Sequence, residues 1–480
     1  MKIIISLYLF ILCLCIPLTT ISQKNIPVTT TSSEALGLFT KGFQYEDKGE
    51  LDSAREYYKR AVEKDTSFAL AYMALALLQN EFAERKKFMA KSFSLVNKVS
   101  EGEKLWISGR NAFYGDGKRE EEFSFFEKLA ALYPEDAVAQ YLFGYMNHHH
   151  GRNNTKKAIE HLETSIKIDP AFITAYNDLG VAYTEAKDFK NAERIFLKYI
   201  DLQPNKAKPV EQYAELLMRM GQYERSIAMY KKALLLDPSY PWTYFGMAAD
   251  FNFLGKYQDA RRILPQVSHL KLTERETYHI MHAYACSYVD EGKIDSAILS
   301  LREHEKIGKD KNFFTQRYLA LNNIVRLYFE TGNAAKGMEA YTHFNNMIQT
   351  ETKNNDLKKQ VSEQALFYKA YAMYINGENR EALEKLAEYD TLKKTTDQQS
   401  RLLKAKIMIK LNKPDEAITL LGQRATDNPY AQFWLATAYK LNGDMTKAHD
   451  IYKNIAARNE MQELDYHLVR KKAISELSKK

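Results

Sequence analysis

The 480-residue chain has only three cysteines, three tryptophans, eleven prolines and twenty glycines. Two of the cysteines, Cys13 and Cys15, fall within an apolar amino-terminal run, so beyond it only Cys286 remains and no internal disulfide can brace the fold. So few prolines and glycines exclude long linkers and the dense turns of an all-β architecture. Charge of one sign is also scarce: 68 Lys and Arg against 61 Asp and Glu leave +7, too little to argue for nucleic acid. After residue 22 no apolar run reaches the roughly 18 residues of a membrane span. What the chain does contain is 45% hydrophobic and 12% aromatic residues, enough for a core in a mostly helical protein.

At the amino terminus Lys2 precedes the run Ile3 to Ile16, and Thr20-Ile21-Ser22 places small residues three and one positions ahead of Gln23. That order is expected of a secretory signal peptide over residues 1–22, cleaved before Gln23, with an uncleaved anchor as the alternative. Cys13 and Cys15 follow Phe10-Ile11-Leu12 and Leu12-Cys13-Leu14, without the small residue of a lipidation site. The remainder is expected in a periplasm, lumen or medium.

A small residue followed four places later by a large apolar one recurs along the rest. Ala158/Leu162, Ala192/Phe196, Ser226/Tyr230 and Ala260/Leu264 step by 34. Ala54/Tyr58, Glu122/Phe126, Ala297/Leu301, Gly337/Tyr341, Ala382/Leu386, Ala417/Leu421 and Ala448/Tyr452 extend the ladder at less regular steps. Within 173–206, Tyr176, Leu179, Gly180 and Tyr183 fall at positions 4, 7, 8 and 11, and Phe189, Ala192, Phe196, Tyr199 and Pro204 at 17, 20, 24, 27 and 32. The first four share one helical stripe. Small residues at 8 and 20 admit a close crossing of two antiparallel helices, and proline at 32 ends the second helix.

This spacing and interior pattern resemble the tetratricopeptide repeat (TPR) family, from Ala35 to about Met461. The resemblance implies an all-α, right-handed α-solenoid of about twelve helical hairpins, with Glu463 to Lys480 as a polar capping helix. Pro265 inside a second helix and the Thr273 N-cap divide the expected solenoid into an amino-terminal array, 23–274, and a carboxy-terminal array, 275–480. The polar stretch Asn345 to Lys359 reads as a long connection.

Catalytic signatures do not survive inspection. Gly115-Asp116-Gly117-Lys118 lacks the first glycine and the Ser/Thr of a phosphate loop and reads as a hairpin turn. His304-Glu305 has Gly308 where a zinc protease needs its second histidine. Cys286 reads as a packed side chain, and neither His148-His149-His150 nor His279/His282 makes a convincing metal site. No enzyme, cofactor or metal is expected.

Positions 2, 5, 9 and 12 of each unit form a second stripe on the first helix, turned from the packing stripe. The resemblance implies that it lines a concave groove holding a protein or peptide partner. Its occupants are Tyr141, Tyr145 and His148, then Asn177, then Lys208, Glu211 and Glu215, then Trp242, Phe245 and Asn252. Phe367, Tyr371, Tyr374 and Phe433 are further candidates. The basic set of a clamp for a carboxy-terminal carboxylate is not reproduced. A glycan ligand is the alternative, because groove aromatics also stack on sugars.

The expected mature protein begins at Gln23. Intact mass of the exported chain checks this, and a product that retains Met1 replaces release with anchoring.

Overall fold

In seven of the twelve hairpins the first helix starts where a short polar side chain accepts a backbone amide hydrogen. Ser32, Asp136, Asn354, Asp397 and Asn428 do so, and Ser100/Glu103 and Thr273/Glu276 form reciprocal capping boxes. The turn to the second helix needs a left-handed residue. Gly221 and Gly255 supply it with φ of 75° and 72°, and Lys187 occupies the equivalent place at 59°.

The computed structural model describes residues 24–79, 81–149, 154–267, 270–422, 428–459 and 464–479. The expected signal peptide, His150, Met461, Glu463 and part of the Arg152 to Lys157 insertion lie outside them. The chain folds as two compact units, one ending at Leu202 and the other starting at Gln203. The first holds five hairpins: α1 (Ser33–Asp47) with α2 (Leu51–Lys64), α3 (Ala69–Leu77) with α4 (Phe82–Ser94), α5 (Glu101–Asp116) with α6 (Arg119–Leu132), α7 (Ala137–His148) with α8 (Thr155–Ile168), and α9 (Ile173–Glu185) with α10 (Phe189–Leu202). The second holds seven: α11 (Ala207–Arg219) with α12 (Tyr223–Leu236), α13 (Pro241–Phe253) with α14 (Tyr257–Ile263), α15 (Glu274–Glu291) with α16 (Ile294–Asp310), α17 (Phe314–Glu330) with α18 (Ala334–Glu351), α19 (Asn355–Asn376) with α20 (Asn379–Lys393), α21 (Gln398–Lys410) with α22 (Pro414–Gly422), and α23 (Pro429–Leu441) with α24 (Met445–Ala456). The helix α25 (Leu464–Leu477) follows, and no strand occurs among the described residues. The all-α solenoid expected from the repeat is therefore the fold.

Every residue of the sequence ladder is buried, from Ala54 and Tyr58 to Ala448 and Tyr452. The crossings are tight. A Cβ added to Gly180 would stand 2.5 Å from the Phe196 ring, and one on Gly246 would stand 2.1 Å from the Tyr230 ring and hydroxyl. One crossing is built differently. Arg110 and Glu122 occupy positions 8 and 20 of their unit and pair at 2.8 Å, with the guanidinium over Phe126.

Three expectations need adjusting. Asn345 to Lys359 is mostly helix: α18 and α19 are 18 and 22 residues long, and only three residues separate them. The side chain of Gln349 ties the two together by donating to the Lys358 carbonyl. Pro265 lies in a short 3-10 turn, Leu264–Val267, that shortens α14 to seven residues, whereas the boundary between the two units falls after Leu202. The carboxy-terminal helix packs on α24 and α23 as a cap would, but it also reaches back to α15.

In the first unit, residues 26 to 31 lie extended across the hairpin ends. The Ile26 amide donates to Asp136, the Thr29 amide to Glu103 and the Thr31 amide to Asp65, at 2.9, 2.8 and 3.1 Å. The segment therefore runs backwards over the array, from α7 to α3. Burial would raise the Asp65 pKa, but hydrogen bonds from Ser67, Thr30 and Thr31 hold it well below the usual carboxylate range.

Gly180→Ala should destabilise the first unit by about 1–3 kcal/mol, because overpacking against Phe196 exceeds the propensity gain of about 1 kcal/mol. Gly37→Ala in α1, with nothing within 4 Å of the new methyl, should instead stabilise it by about 0.5–1 kcal/mol. Urea melts of the two variants check the contrast.

Candidate functional site

In the first unit, α7 and α9 present the expected stripe. The Tyr141 hydroxyl donates to Asp178 at 2.9 Å, and the Asn177 amide donates to the other oxygen of the same carboxylate at 3.0 Å. His148 is buried, its Nε2 2.8 Å from a Glu185 oxygen and its Nδ1 3.2 Å from His149. Tyr145 and His149 are half-buried with ring centroids 4.3 Å apart, and Glu185 is exposed. Burial and the Asp178 charge raise the Tyr141 pKa, whereas burial and His148 lower that of His149. The structure thus joins Tyr141, Tyr145, His148 and Asn177 and adds Asp178, His149 and Glu185. The added residues lie one place from expected ones or close a helix end, so a strict four-position stripe misses them.

In the second unit Lys208 is exposed on α11, while Glu215 pairs with Arg219 at 3.0 Å. Glu211 is buried, and its carboxyl is pushed up to about 8 by burial and by Glu215. On α13, Trp242 is half-buried and lies edge-on to Phe245 and His279, with Arg275 over its ring at 5.1 Å. Phe245 and Asn252 are buried, and Asn252 Oδ1 has no hydrogen-bond partner among the described residues. Lys208, Trp242 and Glu215 are the members of this set that solvent reaches.

A second cluster on first helices escaped the sequence. Glu330 of α17 accepts from Lys406 of α21 at 3.1 Å, and from the hydroxyls of Tyr371 on α19 and Tyr430 on α23. The Lys406 ammonium lies 4.8 Å from the Tyr371 ring and 4.9 Å from that of Trp434, so it is caged by aromatic faces. Burial would raise the Glu330 carboxyl, yet Lys406 and the two hydroxyls hold it below its ordinary value. Beside the pair lies a cavity of ≈ 60 Å³ reached by Arg326, Asn322 and Gln399. Tyr371 was an expected residue. Its partners come from hairpins with steps other than 34, where the register slips.

Cys286 is packed, as expected, but in a polar setting. Its Sγ lies 3.3 Å from His282 Nε2, and it is hydrogen-bonded to His467, which pairs with Asp290 at 2.8 Å. Burial would raise the thiol, but the two imidazoles bring it down to about 6. His282, one turn before Cys286, was visible in the sequence. His467 arrives from α25. Gly117 is the left-handed cap of α5, so the glycine-rich Gly115 to Lys118 segment is a hairpin turn.

Paired helices crossing at small residues define a helical-repeat scaffold. The tetratricopeptide repeat model matches residues 37–65 and 173–206, the TPR repeat model matches 214–249, and the model for anaphase-promoting complex, cyclosome, subunit 3 matches 340–424. The chain is a tetratricopeptide repeat protein. It is 21% identical over 368 residues to the TPR repeat-containing protein MJ1428 of Methanocaldococcus jannaschii, covering 68% of this chain. It is 22% identical over 216 residues, 45% of this chain, to mouse superkiller complex protein 3. It spans 59% of the length of the first relative and 12% of the second. A crystal structure of a tetratricopeptide repeat protein from Parabacteroides merdae matches 60% of this chain and 99% of its own, at 18% identity and a TM-score of 0.37. Proteins of this fold generally act as scaffolds for protein interaction.

Lys406→Met leaves Glu330 buried without its cation and should cost about 3–5 kcal/mol, with partial recovery in Lys406→Met/Glu330→Gln. A carboxylate whose folded pKa is depressed stabilises above its unfolded pKa of about 4.3, and that contribution is lost as pH falls through the folded value. The gap between the native chain and Lys406→Met in thermal melts should therefore be full at pH 7 and narrow below about pH 4.

Proposed function

We propose that this protein is a non-enzymatic scaffold that holds a protein or peptide partner outside the cytoplasm, on the concave face lined by its first helices. What carries the reading is that in the second unit α25 already lies against the first helices α15 and α23, whereas in the first unit Tyr145, His149 and Glu185 are reached by solvent. Half-buried rings among hydrogen-bonding groups suit a partner that brings both apolar contact and backbone polarity. Within the second unit, Trp242 and Lys208 offer a comparable mix of apolar and polar groups to solvent. The export signal read at residues 1–22 supports the location, and no helix among the described residues is long and apolar enough to cross a membrane.

The test is affinity for a partner captured by crosslinking in the native compartment. Tyr145→Ala/Glu185→Ala and Trp242→Ala should each weaken binding at least tenfold, whereas Lys231→Ala, exposed on the second helix α12, should leave it unchanged. Equal binding by all of these folded variants moves the site elsewhere.

A further inference from the structure

The first turn of α25 is enclosed: Leu464, Asp465, Tyr466 and His467 are all buried within the second unit. A helix of 14 residues is marginal alone in water, so α25 owes its order to docking. Its buried face is apolar, with Leu464, Tyr466, Val469 and Ala473 packed into the second unit, and around that face it makes a set of polar contacts. Asp465 pairs with Arg326 of α17, His467 with Asp290 of α15 at 2.8 Å, and Glu476 with Lys440 of α23. Arg470 lies 4.8 Å from the ring of Phe253 on α13, and Lys471 4.6 Å from that of Tyr257 on α14.

Ion pairs drawn out of water add little net stability, yet they select an occupant by the order of its charges. The receiving face asks for a carboxylate, a cation two residues on, a cationic pair over two rings, and a second carboxylate eleven residues, or about three turns, after the first. The far half of α25 exposes Lys471, Lys472 and Ile474, and only the seven residues between Ala456 and Leu464 tether the helix to α24.

We propose that the face beneath α25 is a helix-binding site and that α25 is its resident occupant, displaced by a helix of a partner protein carrying the same order of charges. This rests on the reading of the first-helix faces as partner surface. It is tested without the natural partner, so its failure leaves the first-unit site standing.

A labelled peptide of residues 464–479 stands in for the partner helix, with the full chain as receptor. Asp465→Arg in the chain sets two cations against each other and frees Arg326. The peptide should then bind at least tenfold more tightly than to the unaltered chain, and a peptide that itself carries Asp465→Arg should not bind. The chain with Asp465→Arg and Arg326→Asp together should close again and refuse the native peptide. Hydrogen exchange on the unaltered chain is the second readout, with α25 amides expected to exchange at least tenfold faster than those of α15 and α17. Equal protection of the three helices overturns the proposal, as does no binding by a folded Asp465→Arg chain. If that variant is unfolded, hydrogen exchange alone decides.

Discussion

The distance of closest approach between the two helices of a hairpin governs the rest of the structure. Where Gly180 meets Phe196, or Gly42 meets Tyr58, the ring sits where a Cβ would be, and the helix axes are drawn together accordingly. That approach fixes how far each first helix is turned and which of its stripes is left for other work. The Arg110–Glu122 pair shows the constraint from the other side. Two long charged side chains fit a crossing meant for small ones only because they neutralise each other and Arg110 lies flat on Phe126.

Twelve hairpins and their crossings were legible because close packing acts on single residues at fixed spacing, and Ala192, Phe196 and their equivalents carry it in the sequence itself. The units that keep a step of 34 also kept their register, which is why Tyr141, Tyr145, His148 and Asn177 were found together. What was not legible depends on residues far apart in the chain. Lys406 reaches Glu330 across 76 residues, and His467 reaches Asp290 across 177. A local pattern holds no sign of either. Asn345 to Lys359 failed for another reason: polar composition does not distinguish a solvated loop from a helix lengthened past its hairpin, and Asn354 acts there as a cap rather than a break.

Buried charge is distributed unevenly over these faces. In the second unit Glu330 pairs with Lys406 between two first helices, and Arg326 and Asp290 of first helices pair with Asp465 and His467 of α25, where an ordinary core would be apolar. Replacing such pairs by hydrocarbon of equal volume is often neutral or stabilising, whereas removing one partner alone is strongly destabilising.

The backward course of residues 26 to 31 bears on the order of assembly. Their outermost bond, from Ile26 to Asp136, closes a separation of 110 residues. The first segment of this stretch to leave a ribosome or a translocation pore must therefore wait, unpaired, until the fourth hairpin has followed it. Neighbouring hairpins can form as they emerge, since each leans on the one before it. The extended segment can only be laid across them afterwards, as a seam stitched once the panels are in place.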